Sequence, residues 1–187
     1  VYLCYDNQKT ALINKLIADK TDYDSILIFC STKKKVSELT GLLKKHNNAE
    51  SISSDLDQSE REKVLQRFKA GQTRILVATD VLSRGIDIKG IDLVINYDVP
   101  GDAEDYVHRV GRTARADATG VALTLVNEKD IEKFQSIEKL IEKEVIKLPV
   151  PGELGKGPEW RAERIGKRVK WRKYVKRGKQ RHDGRKH

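Results

Sequence analysis

Short aliphatic and β-branched runs alternate with segments of helical period through the first 150 positions of the chain. Ser25–Cys30, Arg74–Ala78, Asp92–Tyr97 and Val121–Val126 are rich in Val, Ile and Leu on both alternations, as strands covered on both faces are. Val1–Tyr5 and a weaker Glu50–Ser53 add two more. Between the strands, Leu12, Ile13, Leu16 and Ile17 follow helical spacing behind a capping Asp6 or Asn7. Lys33–His46 sets Val36, Leu39, Leu42 and Leu43 on one stripe, with Lys33, Lys34, Lys35, Lys44 and Lys45 on the solvated side. Gln58–Ala70 turns Val64, Leu65 and Phe68 inward and closes at Gly71. Asp102–Arg109 and Lys129–Lys143 are the later helices, the last capped by Asn127 and packed through Ile131, Phe134, Ile137, Leu140 and Ile141. This alternation predicts a three-layer α/β domain with a mostly parallel, twisted sheet.

The alternation stops near residue 150. Three of the four prolines, Pro149, Pro151 and Pro158, fall there beside Gly152, Gly155 and Gly157. The expected division is a domain over 1–150, then a Pro/Gly linker and a basic, partly disordered tail over 151–187. Charge supports it: residues 1–152 hold 23 Lys and Arg against 24 Asp and Glu, whereas 153–187 hold 14 against 4, so the tail carries the whole formal excess of +9. Trp160, Trp171 and Tyr174 are interleaved there with Lys and Arg, a composition suited to phosphate attraction with base stacking. Ala162, Ile165 and Val169 lie near helical spacing, so packing of part of the tail on the domain, anchored by Trp160, stays open.

No apolar run approaches a membrane span and no secretory pattern opens the chain, so a cytoplasmic location without membrane contact is expected. Cys4 and Cys30 form no CxxC pair and are expected to be ordinary reduced residues, with no metal site. A chain that opens at Val1 inside a strand-like segment is expected to be a piece of something longer.

Ligands of open parallel sheets bind beyond the carboxyl ends of the strands. Ser31 and Thr32 follow one predicted strand; Asp55, Asp57, Gln58 and Arg61 follow another; Thr79-Asp80 through Arg84-Gly85-Ile86-Asp87 follow a third. Hydroxyls, amides, arginines and a glycine turn expected at one rim suit the backbone phosphates and sugars of a nucleic acid or nucleotide. Tyr106 through Arg115 adds Arg109, Arg112 and Arg115, whose rigid donor forks match phosphate oxygens. No GxxxxGK[ST] loop occurs, so nothing here cradles a nucleotide unaided. Plainer roles remain open: Thr32 and Thr79 also suit helix caps, Gln58 and Arg61 an exposed first helical turn, and the three arginines ion pairs with Asp102, Glu104 or Asp105.

Taken together these segments resemble the DEAD-box RNA helicases. Ser25 through Thr32 resembles their motif IV, Gln58-Ser59-Glu60-Arg61 the QxxR element, Ala78-Thr79-Asp80 through Asp87 motif V, and Tyr106 through Arg115 motif VI. The resemblance covers residues 1–150 and implies the second RecA-like domain of such an enzyme. Segments Leu148-Pro149 and Glu153 through Pro158 are similar to a bacterial RhlE-like branch. Thr113-Ala114 stands where many members have Thr-Gly, and Ser51–Asp55 lacks a histidine or glycine often seen in that motif.

The resemblance implies an ATP-dependent RNA helicase in which Arg112 and Arg115 reach the ATP γ-phosphate, Arg115 as arginine finger, with Gly85 and Asp87 near the ribose. It implies contacts from Thr32, Gln58, Arg61, Thr79 and Arg84 to the RNA backbone without regard to sequence, and coupling between domains through His108 and Arg109. ATP with Mg is the implied cofactor, the Mg ligands lying in an amino-terminal RecA-like domain that is the implied partner, so this chain alone is expected to be inactive. A reading from another class is a stand-alone RNA-binding or annealing module working through the basic tail.

Overall fold

The computed structural model describes residues 1–18, 23–80, 88, 90–113 and 120–161. In chain order these form β1 (Tyr2–Leu3), α1 (Asp6–Ala18), β2 (Ile26–Phe29), α2 (Lys33–Leu43), β3 (Ala49–Ile52), α3 (Gln58–Lys69), β4 (Ile75–Ala78), β5 (Leu93–Asn96), α4 (Ala103–Val110), β6 (Val121–Val126), α5 (Ile131–Leu140) and β7 (Leu148–Pro149). All seven strands join one sheet in the order β3-β4-β2-β5-β6-β1-β7, and every pairing is parallel.

Alternation along the strands divides the core. Ile26, Ile28, Ile75, Val77, Leu93 and Ile95 face one side, where Leu12, Ile13, Leu16 and Ile17 of α1 and Val36, Leu39 and Leu43 of α2 cover them. Leu27, Phe29, Leu76 and Val94 face the other side with Val64 and Phe68 of α3, and Leu3 and Val126 continue that face under Tyr106 of α4 and Phe134 and Ile137 of α5. Helices on both faces explain why β2, β4 and β5 are buried at every position. The fold is the three-layer α/β arrangement that the hydrophobic pattern predicts, of the RecA-like kind that the resemblance implies, and Cys4 and Cys30 are both free and buried within it. Among the described residues no helix is long and apolar enough to cross a membrane.

Element ends differ where polar residues take over the backbone. The second helix stops at Leu43, because the amides of His46 and Asn47 both donate to the Leu43 carbonyl in a closing turn. Asn127 Oδ1 accepts from the amides of Lys129 and Asp130, so it caps a turn, and α5 begins only at Ile131.

The predicted linker at 151 is a correction. Leu148–Pro149 adds a seventh strand beside β1, and Gln8 Nε2 then donates to the carbonyls of Leu154 (2.8 Å) and Lys156 (3.2 Å). Gly157 passes so close to β1 that a Cβ there would lie 2.2 Å from the Leu3 carbonyl oxygen. Pro158 is buried, and Trp160 stands edge-on to Phe134 at 6.2 Å with the Lys147 ammonium 4.6 Å from its ring. Residues 151–161 are therefore a strap on the domain. Proline and glycine here serve close passage of the backbone, a use that composition cannot distinguish from a linker. Trp160→Ala is expected to cost about 2 kcal/mol, less than a fully buried Trp because this ring is half-buried; urea unfolding of the two chains measures it. The aromatic and basic positions of 162–187 lie outside the described residues.

Candidate functional site

Because the sheet is parallel, the carboxyl ends of β2, β3 and β4 share one rim, and three groups of candidates stand on it. Thr32 caps α2, its Oγ1 accepting from the Lys35 amide at 3.2 Å. Gln58 and Arg61 occupy the first turn of α3, behind a reciprocal capping box between Asp57 and Glu60. Arg61 donates to Gln58 Oε1 and to the Leu56 carbonyl, each at 3.3 Å, while Gln58 donates to Glu62 at 2.8 Å. Thr79 is buried where β4 ends. The cap and the exposed polar turn are thus real, and they leave the Gln58 side chain at the surface.

A buried ionic cluster holds this rim together. Asp98, just past β5, accepts from the Ser31 amide at 2.8 Å and from Lys35 Nζ at 2.7 Å, with Lys9 Nζ 3.5 Å away. Lys9 is wholly buried, pairs with Asp6 at 2.9 Å and lies 5.2 Å from the Tyr97 ring centroid. Burial alone would raise the Asp98 pKa, but Lys35, the Ser31 amide and Lys9 outweigh it and hold the carboxyl below its ordinary value. The Cys30 thiol beside it moves the other way, pushed up to about 12 by burial and then by Asp98. Asp98 and Lys9 were not singled out in the sequence. The signal was present for Lys9, since a lysine at 9 falls on the same helical stripe as Leu12, Ile13 and Leu16.

The segment from Tyr106 onward does not stay at that rim. Asp102 caps α4 near the carboxyl ends, and the helix then runs back across the sheet for eight residues, about 12 Å. At its far end the Ile91 amide, just before β5, donates to the Arg112 carbonyl at 3.1 Å. A Cβ on Gly120, just before β6, would sit 2.2 Å from the Thr113 carbonyl oxygen. Arg112 consequently lies at the amino edge, opposite Thr32, Gln58 and Thr79. The expectation of a single shared rim is corrected, because the carboxyl-end rule concerns segments that leave strands and Arg112 follows a helix. Arg112 itself sits in a turn beyond the last helical residue, Val110. Arg84, Gly85, Asp87 and Arg115 lie outside the described residues.

The two residues expected to couple domains have opposite surroundings. His108 is exposed on α4, and Val107 beside it is exposed too. Arg109 is 1% exposed and points inward. It donates to both Asp80 oxygens (2.5 and 2.6 Å), to Asn96 Oδ1 (3.0 Å) and to the Asp98 carbonyl (3.0 Å), with its guanidinium 5.1 Å from the Phe29 ring centroid. Arg109 therefore spends these donors inside its own domain. It is an ion-pair arginine, but with Asp80 across the fold rather than with the acidic residues near it in sequence.

Arg112 itself is half-buried just past the end of α4. Among the described residues no three His, Cys, Asp or Glu side chains converge as they would around a metal ion.

The pattern of the helicase conserved C-terminal domain family matches residues 8–117, more than half of the chain. The chain belongs to that family and is a DEAD-box C-terminal domain. It is 44% identical over 142 residues to DEAD-box ATP-dependent RNA helicase 40 of Oryza sativa subsp. japonica, covering 76% of this chain and 18% of that protein. It is 43% identical over 133 residues to ATP-dependent RNA helicase eIF4A of Kluyveromyces lactis, covering 68% and 34%. Among solved structures, the E. coli DEAD-box protein SrmB bound to regulator of ribonuclease activity A superimposes with a TM-score of 0.78 at 32% identity, covering 87% of this chain and 95% of that one. The C-terminal domain of the DEAD-box protein Dbp5 gives 0.73 at 31% identity, covering 80% and 88%. The chain thus spans about a fifth to a third of the length of these curated relatives.

Proposed function

We propose that this chain is the carboxy-terminal half of an ATP-dependent RNA helicase, gripping the RNA backbone at one edge of the sheet and completing the ATP site from the other. The observation that carries this reading is the split of the candidates. Thr32, Gln58, Arg61 and Thr79 stand at the carboxyl rim and Arg112 stands at the amino edge, with α4 crossing between them.

At the rim, Thr32, Gln58, Arg61 and Thr79, joined by Arg84, would hold phosphates and 2′-hydroxyls of one strand. Such side chains cannot read bases along a backbone, so binding is expected to be blind to sequence. At the opposite edge, Arg112 and Arg115 would direct their donors at the terminal phosphate of ATP held by an amino-terminal RecA-like domain, with Gly85 and Asp87 beside the ribose. The Mg ligands belong to that partner domain, and exposed His108 is suited to meet it. Assignment to the RhlE-like branch rests only on the segments after residue 147.

Mixing the chain with the amino-terminal RecA-like domain of a relative is expected to produce RNA-stimulated ATP hydrolysis that neither part shows alone. The same chain ended at Arg161 separates this from the tail-driven RNA module. A helicase half keeps the gain in hydrolysis without 162–187, whereas a module gives no gain in either form and loses RNA binding with the tail.

A further inference from the structure

The far side of the sheet, which the function proposed above leaves unused, has an open slot one strand wide. β6 begins at Val121, but its pairing with β1 begins only at Leu125, opposite Tyr2. Val121–Leu123 therefore have β5 on one side and no described strand on the other. Across the slot, the ladder between β1 and β7 runs past the strand ends. The Leu148 amide donates to the Val1 carbonyl and the Val1 nitrogen donates to the Ile146 carbonyl, both at 2.7 Å. Next along that row is the Ile146 amide, which has no partner among the described residues, and Ile146 is 76% exposed. The slot opens on an apolar groove of about 660 Å³ between α4 and the segment after α5, lined by Val107, Val110, Ile141, Val145 and Ile146. Alternation sets its register: Val1 and Leu3 pack on the α4–α5 face, and Tyr2 packs on the α1 face.

We infer that this slot receives an extended segment that runs into Val1 from the amino-terminal RecA-like domain, lengthening β1 between β6 and residues 144–147. The inference rests on the proposed reading that such a domain precedes this one, and the curated relatives, of which the chain spans 18% and 34%, are long enough to hold one. An added strand meets both needs of the slot. Its amides and carbonyls continue the two ladders, and alternation turns its second and fourth residues before Val1 into the groove. Open ladder groups and apolar surface are each a liability alone, and one strand covers both. The Val1 nitrogen already sits as a ladder donor, and burial, then Lys147, pushes its ammonium below the ordinary value, so the position suits a neutral amide better than a charge. A separate peptide or a second copy would have to end where Val1 begins, whereas a segment joined to Val1 enters in register. The connection then arrives at the amino edge, beside Gly111 in the groove wall and Arg112 after it, and not at the rim that holds Thr32 and Gln58.

The test compares the 187-residue chain with the same chain carrying, ahead of Val1, the strand-length segment that occupies this place in the eIF4A of Kluyveromyces lactis. Amide hydrogen exchange at Ile146 and the melting temperature are read without nucleotide or RNA. The extension is expected to slow exchange of the Ile146 amide by about tenfold or more and to raise the melting temperature by about 3 °C. A control extension with proline in the two places next to Val1 lacks the ladder donors and is expected to give neither change. Val107 is 47% exposed, so V107E leaves the unextended chain folded, and it is expected to remove the gain in melting temperature from the extended one. Unchanged Ile146 exchange in the extended chain overturns the inference. Equal protection by the proline-bearing extension overturns it too, as does a gain in melting temperature that survives V107E. Protection of Ile146 that grows with concentration in the unextended chain gives the slot to a second copy and overturns the inference as well. None of these readings involves ATP hydrolysis, so an extended chain that takes up the strand yet gives no gain in the mixing experiment overturns the functional reading alone.

Discussion

Arg115→Ala is expected to abolish the ATPase activity that this chain confers on an amino-terminal partner domain, a loss of about 10³-fold or more, the scale of removing an arginine finger. Such a residue acts where negative charge develops on the transferred phosphoryl group, and its planar fork can reach two oxygens at once. Lysine in its place supplies the charge without the fork, so Arg115→Lys is expected to restore little. RNA affinity should be unchanged, because Thr32, Gln58 and Thr79 lie at the opposite edge from the segment that leads to Arg115. Steady-state hydrolysis with saturating RNA, beside RNA binding by the same variant, separates the two effects. A gain in hydrolysis that survives the alanine would remove Arg115 from the reaction. The neighbouring arginines provide the contrast: Arg109 is buried and spends its donors on its own domain, so its loss is expected to act through folding rather than through phosphate.

The strands and helices were legible because each is covered in a manner that leaves a period in the sequence. Doubly buried β2, β4 and β5 read as short, mostly aliphatic runs, and α2 and α3 as stripes. The seventh strand was not legible, because Leu148–Pro149 is two residues long, lies at the sheet edge and is exposed, so burial imposes no pattern on it. The site divides in the same way. Residue types at Thr32, Gln58, Arg61, Thr79 and Arg112 suggested phosphate chemistry beside plainer roles as caps and surface polar groups. Their positions did not follow, because the strand-end rule says nothing about a helix that returns across the sheet. Arg109 shows the limit most clearly. Three arginines at intervals of three look equivalent in a string of letters, and only the carboxylate of Asp80, 29 positions earlier, makes one of them internal.

Asp98→Asn is expected to destabilise the domain by about 3 kcal/mol at neutral pH, out of a total that for a domain is roughly 5–15 kcal/mol. The value sits at the lower end for a broken buried ion pair because the two cations are not equally stranded. Lys35 is 41% exposed along its side chain and can turn to water, whereas Lys9 at 1% cannot, and it retains Asp6 at 2.9 Å. Acid should erase the difference. The Asp98 carboxyl is held below its ordinary value of 3.8 because its partners outweigh burial, so folding favours the ionised form. Its contribution is complete above the unfolded value, near 3.8, and is lost as pH falls through the lower folded value. Asp6 and Glu50 are shifted the same way, so the wild-type domain weakens with acid for several reasons at once. The gap between wild type and Asp98→Asn isolates Asp98 from the others. Urea unfolding of both chains across that range should show two stability curves separated at pH 7 and converging below pH 3.8. Curves that stay parallel into acid would mean that Asp98 contributes through shape and hydrogen bonding, with its charge balanced by the cost of burial. Because its second oxygen holds the Ser31 amide, the substitution should also loosen the turn that carries Thr32, linking the stability of the cluster to the grip of the rim.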